Sequence, residues 1–240
     1  MSRAFALATI TPSGNRVVET VTQAICRDLS DVALQFTRIP VHGDTGGVTA
    51  YDAARMKDAA TLLSHALPDV ILWNGTKGGS LGFDVDRDLC ALITDTTGIA
   101  AATSALALLD ALARFGARRI ALVTPYDAAY QAKCIAGFAK KGIETVCERH
   151  SGLIDNFAYG EVPAADILAM TRAAIAEDRP EAVVYFCTNF AGAPLAAEIE
   201  AETGVPVLDS TAVGIWGAMG AGGYAASRVT GWGRIFAMQP

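Results

Sequence analysis

Cys187 closes the run Val183-Val184-Tyr185-Phe186, whose β-branched and aromatic residues predict a buried strand. In a parallel α/β sheet, ligands gather at the carboxyl ends of strands, which is where this thiol stands. Thr188 or Asn189 is placed to open the next helix, whose unpaired N–H groups would lower the thiol pKa and attract an anion. A cysteine more often packs as a small hydrophobe. The strand-end position favours chemistry for Cys187, as proton carrier or nucleophile.

Other predicted strand ends carry polar turns. Thr11-Pro12-Ser13-Gly14-Asn15 follows the first strand, where Pro12 is expected to end the ladder. This is either an ordinary turn capped by Ser13, or a turn that sets Ser13 and Asn15 beside a bound carboxylate. Asn74-Gly75-Thr76-Lys77-Gly78-Gly79-Ser80 follows the third strand, and its glycines allow backbone N–H groups to approach an anion. No Gly-Lys-Ser/Thr closes that loop, so it is not a Walker phosphate loop. Gly217–Gly223 follows a predicted helix and reads as a helix end. Tyr126 stands in a Thr-Pro-Tyr turn, and Asp209 is positioned to cap the helix that follows it.

The elements that must carry these turns alternate short apolar runs with Ala-rich amphipathic runs, the pattern of an α/β fold with parallel sheets. Predicted strands are 4–10, 32–39, 70–73, 99–102, 119–123, 143–149, 182–186 and 205–208. Predicted helices lie near 15–29, 51–66, 104–115, 128–141, 163–177, 192–202 and 211–219. At 240 residues, 52% hydrophobic and 18% charged, the chain can fold as one large core or two packed lobes. A net charge of −6 without any basic run argues against nucleic acid, and no apolar run is long enough to span a bilayer. Ala4–Ile10 reads as a first strand and not as a signal peptide. The five scattered cysteines (Cys26, Cys90, Cys134, Cys147, Cys187) make no metal pattern and predict reduced thiols in a cytoplasmic protein. All but Cys187 sit in helical or strand patterns expected to be core. His42, His65 and His150 are isolated; His42 is near enough to a strand end to line a cleft, but a surface position is expected.

An internal repeat organises the chain. Thr97–Ser104 matches Thr203–Ser210 at an offset of 106, Thr11-Pro12 falls on Thr124-Pro125 at 113, and Val70–Thr76 falls on Ala182–Thr188 at 112. Three matches in one order predict two pseudo-twofold related α/β lobes, residues 1–105 with 212–240 and residues 106–211, with the site between them. Gly75-Thr76 and Cys187-Thr188 then occupy equivalent turns, one with a thiol and one with glycine.

These residues resemble the aspartate/glutamate racemase superfamily over nearly the whole chain, in particular its maleate isomerase and arylmalonate decarboxylase branch. The family fold is a pseudo-twofold pair of α/β lobes. Racemases and isomerases carry a cysteine in each lobe; the second matches Cys187 and the first falls on Gly75. The decarboxylases have glycine in a Gly-Thr turn there. The resemblance implies that Thr76 and Tyr126 hold the carboxylate and enediolate, with backbone N–H groups near Thr76 and Thr188. Thr11–Glu19, with Pro12, Ser13 and Asn15, looks like the isomerase signature, as does Asp155-Asn156, where the asparagine binds a substrate carboxylate. Lys77 stands where either branch usually has serine.

Loss of carbon dioxide needs a donor-lined site for the enediolate and one acid, so a single thiol is sufficient. The expectation is a cofactor-independent decarboxylase, requiring no metal, acting on a small malonate-type or related dicarboxylic acid, with Cys187 as proton donor. Asn15 and Asn156 point to a substrate more polar than an arylmalonate. A cysteine at position 75 would be expected to add racemase or isomerase chemistry. Open alternatives are a maleate cis-trans isomerase, an Asp/Glu-type racemase with a different second group, and a silent carboxylate binder. A homo-oligomer is compatible with each.

Overall fold

The computed structural model describes residues 3–41 and 51–239. The His42 expectation lies outside them. Strands β1 (Phe5–Pro12), β2 (Val32–Ile39), β3 (Val70–Trp73) and β4 (Ala100–Thr103) form one parallel sheet in the order β2-β1-β3-β4. Strands β5 (Arg119–Tyr126), β6 (Glu144–Leu153), β7 (Ala182–Tyr185) and β8 (Val207–Asp209) form a second in the order β6-β5-β7-β8. The helices are α1 (Val18–Ile25), α2 (Ala53–Ser64), α3 (Gly78–Leu81), α4 (Asp84–Thr97), α5 (Ser104–Phe115), α6 (Ala128–Ala139), α7 (Asn156–Tyr159), α8 (Ala164–Asp178), α9 (Ala196–Thr203) and α10 (Ser210–Ala221).

Register establishes the repeat. Ile10 pairs with Trp73 and Trp73 with Thr103; in the second sheet Val123 pairs with Tyr185 and Tyr185 with Asp209. The three matched positions differ by 113, 112 and 106 residues, as the sequence repeat predicts. Asp209 caps α10, accepting from the N–H groups of Thr211 and Ala212 at 2.9 and 3.0 Å, and Thr103 caps α5 in the other lobe. The inner strands β3 and β7 are buried along their whole length and apolar but for the Tyr185 hydroxyl, and β1 and β5 are buried between their ends, because helices cover both sheet faces.

One hydrophobic cluster runs through both lobes. Phe186, just past β7, meets Phe138 of α6 at 4.9 Å between ring centroids and Phe83 at 6.2 Å. A Cβ on Gly79 would lie 2.2 Å from the Phe186 ring, and one on Gly137 would lie 1.8 Å from the Gly79 carbonyl. Helix α3 is therefore seated on α6 and on the end of β7. Although α10 follows β8, it packs on α5, β4 and β3 of the first lobe.

Four expectations need correction. Helix α4 was absent from the predicted elements; Asp84, Asp86, Asp88 and Asp95 weaken its apolar stripe, and only Asp86, Leu89 and Ile93 are buried. The short α3 and α7 were also unassigned. Pro12 and Pro125 lie within strands. Pro12 lies beyond the β3 pairing and is flanked by β2 alone, and Pro125 falls at a register shift between Thr124 and Tyr126, where no ladder donor is required. No helix begins at Thr188 or Asn189: a turn follows Cys187, a 3₁₀ turn covers Ala193–Leu195, and α9 starts at Ala196.

The α3–α6 seat gives a stability test. Gly137→Ala places a methyl group against a backbone carbonyl that cannot rotate away, so it should cost about 1–3 kcal/mol. The expected result is a lower urea midpoint, with the m-value unchanged.

Candidate active site

The carboxyl ends of β1, β3, β5 and β7 meet at one cleft of about 260 Å³. This is slightly below the range typical of drug-sized pockets and fits a small acid. Its wall includes Pro12, Asn15, Gly75, Thr76, Lys77, Tyr126, Asn156, Cys187 and Thr188. Nine of the ten residues singled out in the sequence thus come together.

Ser13 does not join them. It is exposed, its N–H donates to the Ile39 carbonyl and its own carbonyl accepts from Arg38, so the turn directs it into a separate depression with Arg16, Glu19 and Phe157. Asn15 faces inward, but its side chain is used by the protein. Its Oδ1 accepts from the N–H groups of Val17 and Val18, both at 2.9 Å, capping α1, and its Nδ2 donates to Thr188 Oγ1 at 3.1 Å. Thr188 Oγ1 in turn donates to the Asn74 carbonyl at 3.3 Å, and the Thr188 carbonyl accepts from Thr211 Oγ1 at 3.1 Å. Ser104 Oγ donates to Asn74 Oδ1 at 3.0 Å. These bonds tie the β1, β3 and β7 turns to the first residues of α5 and α10.

Asn189 makes a second tie. Its Oδ1 accepts from Arg16 N–H at 2.9 Å, and its Nδ2 donates to the Asn156 carbonyl. Asn156 is then held at the start of α7 with its side chain at the cleft and against Gly14. The β3 turn is fixed from below. The Gly78 N–H donates to Tyr51 hydroxyl at 3.0 Å, and that hydroxyl lies 3.3 Å from both oxygens of buried Asp86. Burial pushes Asp86 up to about 7.

Tyr126 lies edge-on between two other tyrosines, with ring centroids 4.6 Å from Tyr130 and 5.3 Å from Tyr159. Its hydroxyl is 3.3 Å from Thr76 Oγ1. Its backbone N–H donates to Thr124 Oγ1, which donates to Gln131 Oε1 at 2.7 Å, and Gln131 Nε2 donates to Glu148 at 3.0 Å. His150 pairs with the same Glu148 oxygen at 2.7 Å. Burial, then the neighbouring Cys187, push the Tyr126 phenol well above its ordinary pKa, so it remains a neutral donor.

Cys187 is almost fully buried, and burial pushes its thiol up to about 12 against the opposing hydrogen bonds of Tyr126 and the Asn189 N–H. The sequence reading expected the opposite shift. It relied on a helix start that the chain does not form there, and desolvation dominates instead. The thiol holds its proton at neutral pH. Of the other cysteines, Cys26, Cys134 and Cys147 are buried and Cys90 is half-buried; none lines the cleft.

The sequence reading placed the turns near 11–15, 75–80, 124–126, 187–189 and 209–211 at the cleft; Asn189 lines it as expected and 209–211 do not, while Val41, Trp73, Asp127, Ala129, Tyr130, Ile154 and Tyr159 were missed. Tyr159 follows Asn156 by three residues on α7, a spacing that could have marked it; Tyr130 lies across the break between β5 and α6 from Tyr126, where no helical spacing applies. Among the described residues, no group of His, Cys, Asp and Glu gathers as a metal site, and no helix is long and apolar enough to cross a membrane.

Known proteins are similar to this chain in sequence and fold. A profile of the arylmalonate decarboxylase family matches residues 48–236. The chain is 26% identical over 216 residues to maleate isomerase from Nocardia farcinica, spanning 86% of each protein. It is 28% identical over 149 residues to arylmalonate decarboxylase from Bordetella bronchiseptica, spanning 62% of each. The crystal structure of the maleate isomerase Iso from Pseudomonas putida S16 has the same fold, with a TM-score of 0.87 at 22% identity over 99% of this chain and 100% of that one. These relatives are enzymes acting on small dicarboxylic acids, one an isomerase and one a lyase by name. The family profile spans most of the chain: the chain belongs to the arylmalonate decarboxylase family.

Proposed function

We propose that the protein is a decarboxylase of a small malonate-type dicarboxylic acid, with Cys187 as the single proton donor. The observation that carries this reading is that, of five cysteines, Cys187 alone lines the cleft, while the equivalent turn presents Gly75. The bond from the α-carbon to one carboxylate breaks, carbon dioxide departs, and the electron pair passes into the remaining carboxylate as an enediolate. The Thr76 and Tyr126 hydroxyls and the backbone N–H groups of the two turns stabilise the developing oxyanion. The S–H proton of Cys187 then passes to the α-carbon, and water restores it.

The state of the thiol supports this assignment. A group that donates a proton must carry one, and burial keeps Cys187 protonated. Racemisation would need a thiolate base and a second acid. Addition to a double bond would need a thiolate nucleophile, which the same burial opposes. Isomerisation of maleate is the second reading, favoured by the longer match to the Nocardia farcinica isomerase and by Asn156 at the cleft.

The substrate expectation changes with Asn15. Its carboxamide is committed to the α1 cap and to Thr188, which leaves Asn156 as the asparagine that presents its side chain to a carboxylate at the cleft, with Lys77 on the same wall. Val41, Trp73, Ile154 and Tyr159 supply apolar wall. A malonate with a modest apolar substituent on the α-carbon fits this surface better than the strictly polar acid inferred from two asparagines.

Three measurements test the reading. Cys187→Ser should lower carbon dioxide release from methylmalonate or phenylmalonate by about 10²–10⁴-fold. Undiminished release would remove Cys187 from its role, and fumarate formed from maleate would favour the isomerase. Tyr126→Phe deletes one oxyanion donor and should lower kcat by about 10²-fold with a smaller change in KM. The pH profile has a definite sign: an acid with a raised pKa is active below that pKa and lost above it. Then kcat/KM should show no alkaline fall from Cys187 until pH approaches about 12. A rate that rises tenfold per pH unit through the alkaline range would indicate a thiolate mechanism.

A further inference from the structure

Each lobe ends its third strand on an aromatic residue, two positions before the turn residue that differs between the lobes. Trp73 precedes Gly75, and Tyr185 precedes Cys187, at the same register. Tyr185 is directed away from its turn. Its hydroxyl bonds Thr171 Oγ1 at 2.8 Å, and its ring rests on Gly192, where a Cβ would lie 2.1 Å away. Space for the Cys187 side chain remains. Trp73 takes the corresponding space in the first lobe. A Cβ on Gly75 would lie 2.5 Å from Cζ2, 2.6 Å from Cε2 and 3.0 Å from Nε1 of the indole.

The indole cannot easily give way. Trp73 is 1% exposed, stands edge-on to Tyr51 at 5.7 Å and belongs to a core with Ile10, Ile39 and Met56. It also lines the cleft beside Gly75. We infer that Trp73 is a positioning residue that restricts the β3 turn to glycine and so limits the cleft to one thiol, an inference that rests on the single-thiol chemistry proposed above. Glycine at 75 is then a packing requirement of this chain. On this inference a cysteine at 75 does not by itself supply a second acid or base, in contrast to the sequence-based expectation.

The test is a double-mutant cycle with two readouts. Gly75→Cys and Gly75→Ala should each lower the melting temperature or prevent folding. In protein that also carries Trp73→Leu, the same changes should cause no loss beyond that of Trp73→Leu alone. The second readout is deuterium uptake from heavy water at the α-carbon of 2-phenylpropionate. Exchange should be absent in wild type and in Gly75→Cys, and should appear only when Gly75→Cys is combined with Trp73→Leu. A Gly75→Cys protein as stable as wild type, or a loss that Trp73→Leu does not relieve, would overturn the inference. Rescue of stability without exchange would support the packing role of Trp73 and count against the shared reaction centre in the proposed function.

Discussion

Thr188 accepts a hydrogen bond from Asn15 and donates one to the Asn74 carbonyl, joining the strand ends of β1, β3 and β7 through one buried side chain. These turns come from both lobes, and the cleft exists only while they are held together. The hydrophobic cluster brings the lobes into contact, but apolar packing has no directional preference. Directional bonds at Thr188 and Asn189 convert contact into register. In a buried site each bond also prevents the cost of an unsatisfied polar group, roughly 1–3 kcal/mol, so loss of one partner affects more than a single contact.

The same burial governs the chemistry. Removing Cys187 from water disfavours its thiolate, and the Tyr126 phenol responds in the same direction. Both groups therefore remain neutral donors in a region of low dielectric, where a donor is worth more than in water. A site that must generate a thiolate needs a cation or helix start beside the sulfur. Here the sulfur meets a phenol and a backbone N–H, while the first helical turn after it begins only at Ala193.

Much of this architecture was legible from residues. The offsets of the repeat depended on strand-end residues, and these are positions where the backbone leaves its ladder and side-chain type matters most. Strand β3, for example, was read with its observed limits because Val70–Trp73 is an uninterrupted apolar run bounded by polar turns. Helix α4 was not legible because its buried face is narrow and includes Asp86, whose acceptance in the core depends on hydrogen bonds from Thr103 and Tyr51, both distant in sequence. The thiol environment was misread for a related reason. A Cys-Thr-Asn turn and a Cys-Thr-Asn helix cap have the same residues, and the distinction lies in where Asn189 directs its side chain. That direction is set by Arg16 and Asn156, far away along the chain.

A polar side chain at a strand end has two uses, and its hydrogen bonds show which one it serves. Asn15, Thr188 and Asn189 each bond two or more protein groups and thereby complete turns that the ladders leave open. The Thr76 and Tyr126 hydroxyls bond each other at 3.3 Å and Tyr126 also bonds Cys187, and hydroxyls retain further donor and acceptor capacity after such bonds. This separates two groups of residues that look alike in sequence. The first group maintains the cleft and is bound within it. The second keeps capacity at the cleft beside Cys187, and under the proposed function the substrate uses it. The position of a residue at the cleft is therefore insufficient to assign it to substrate; the remaining hydrogen-bonding capacity decides.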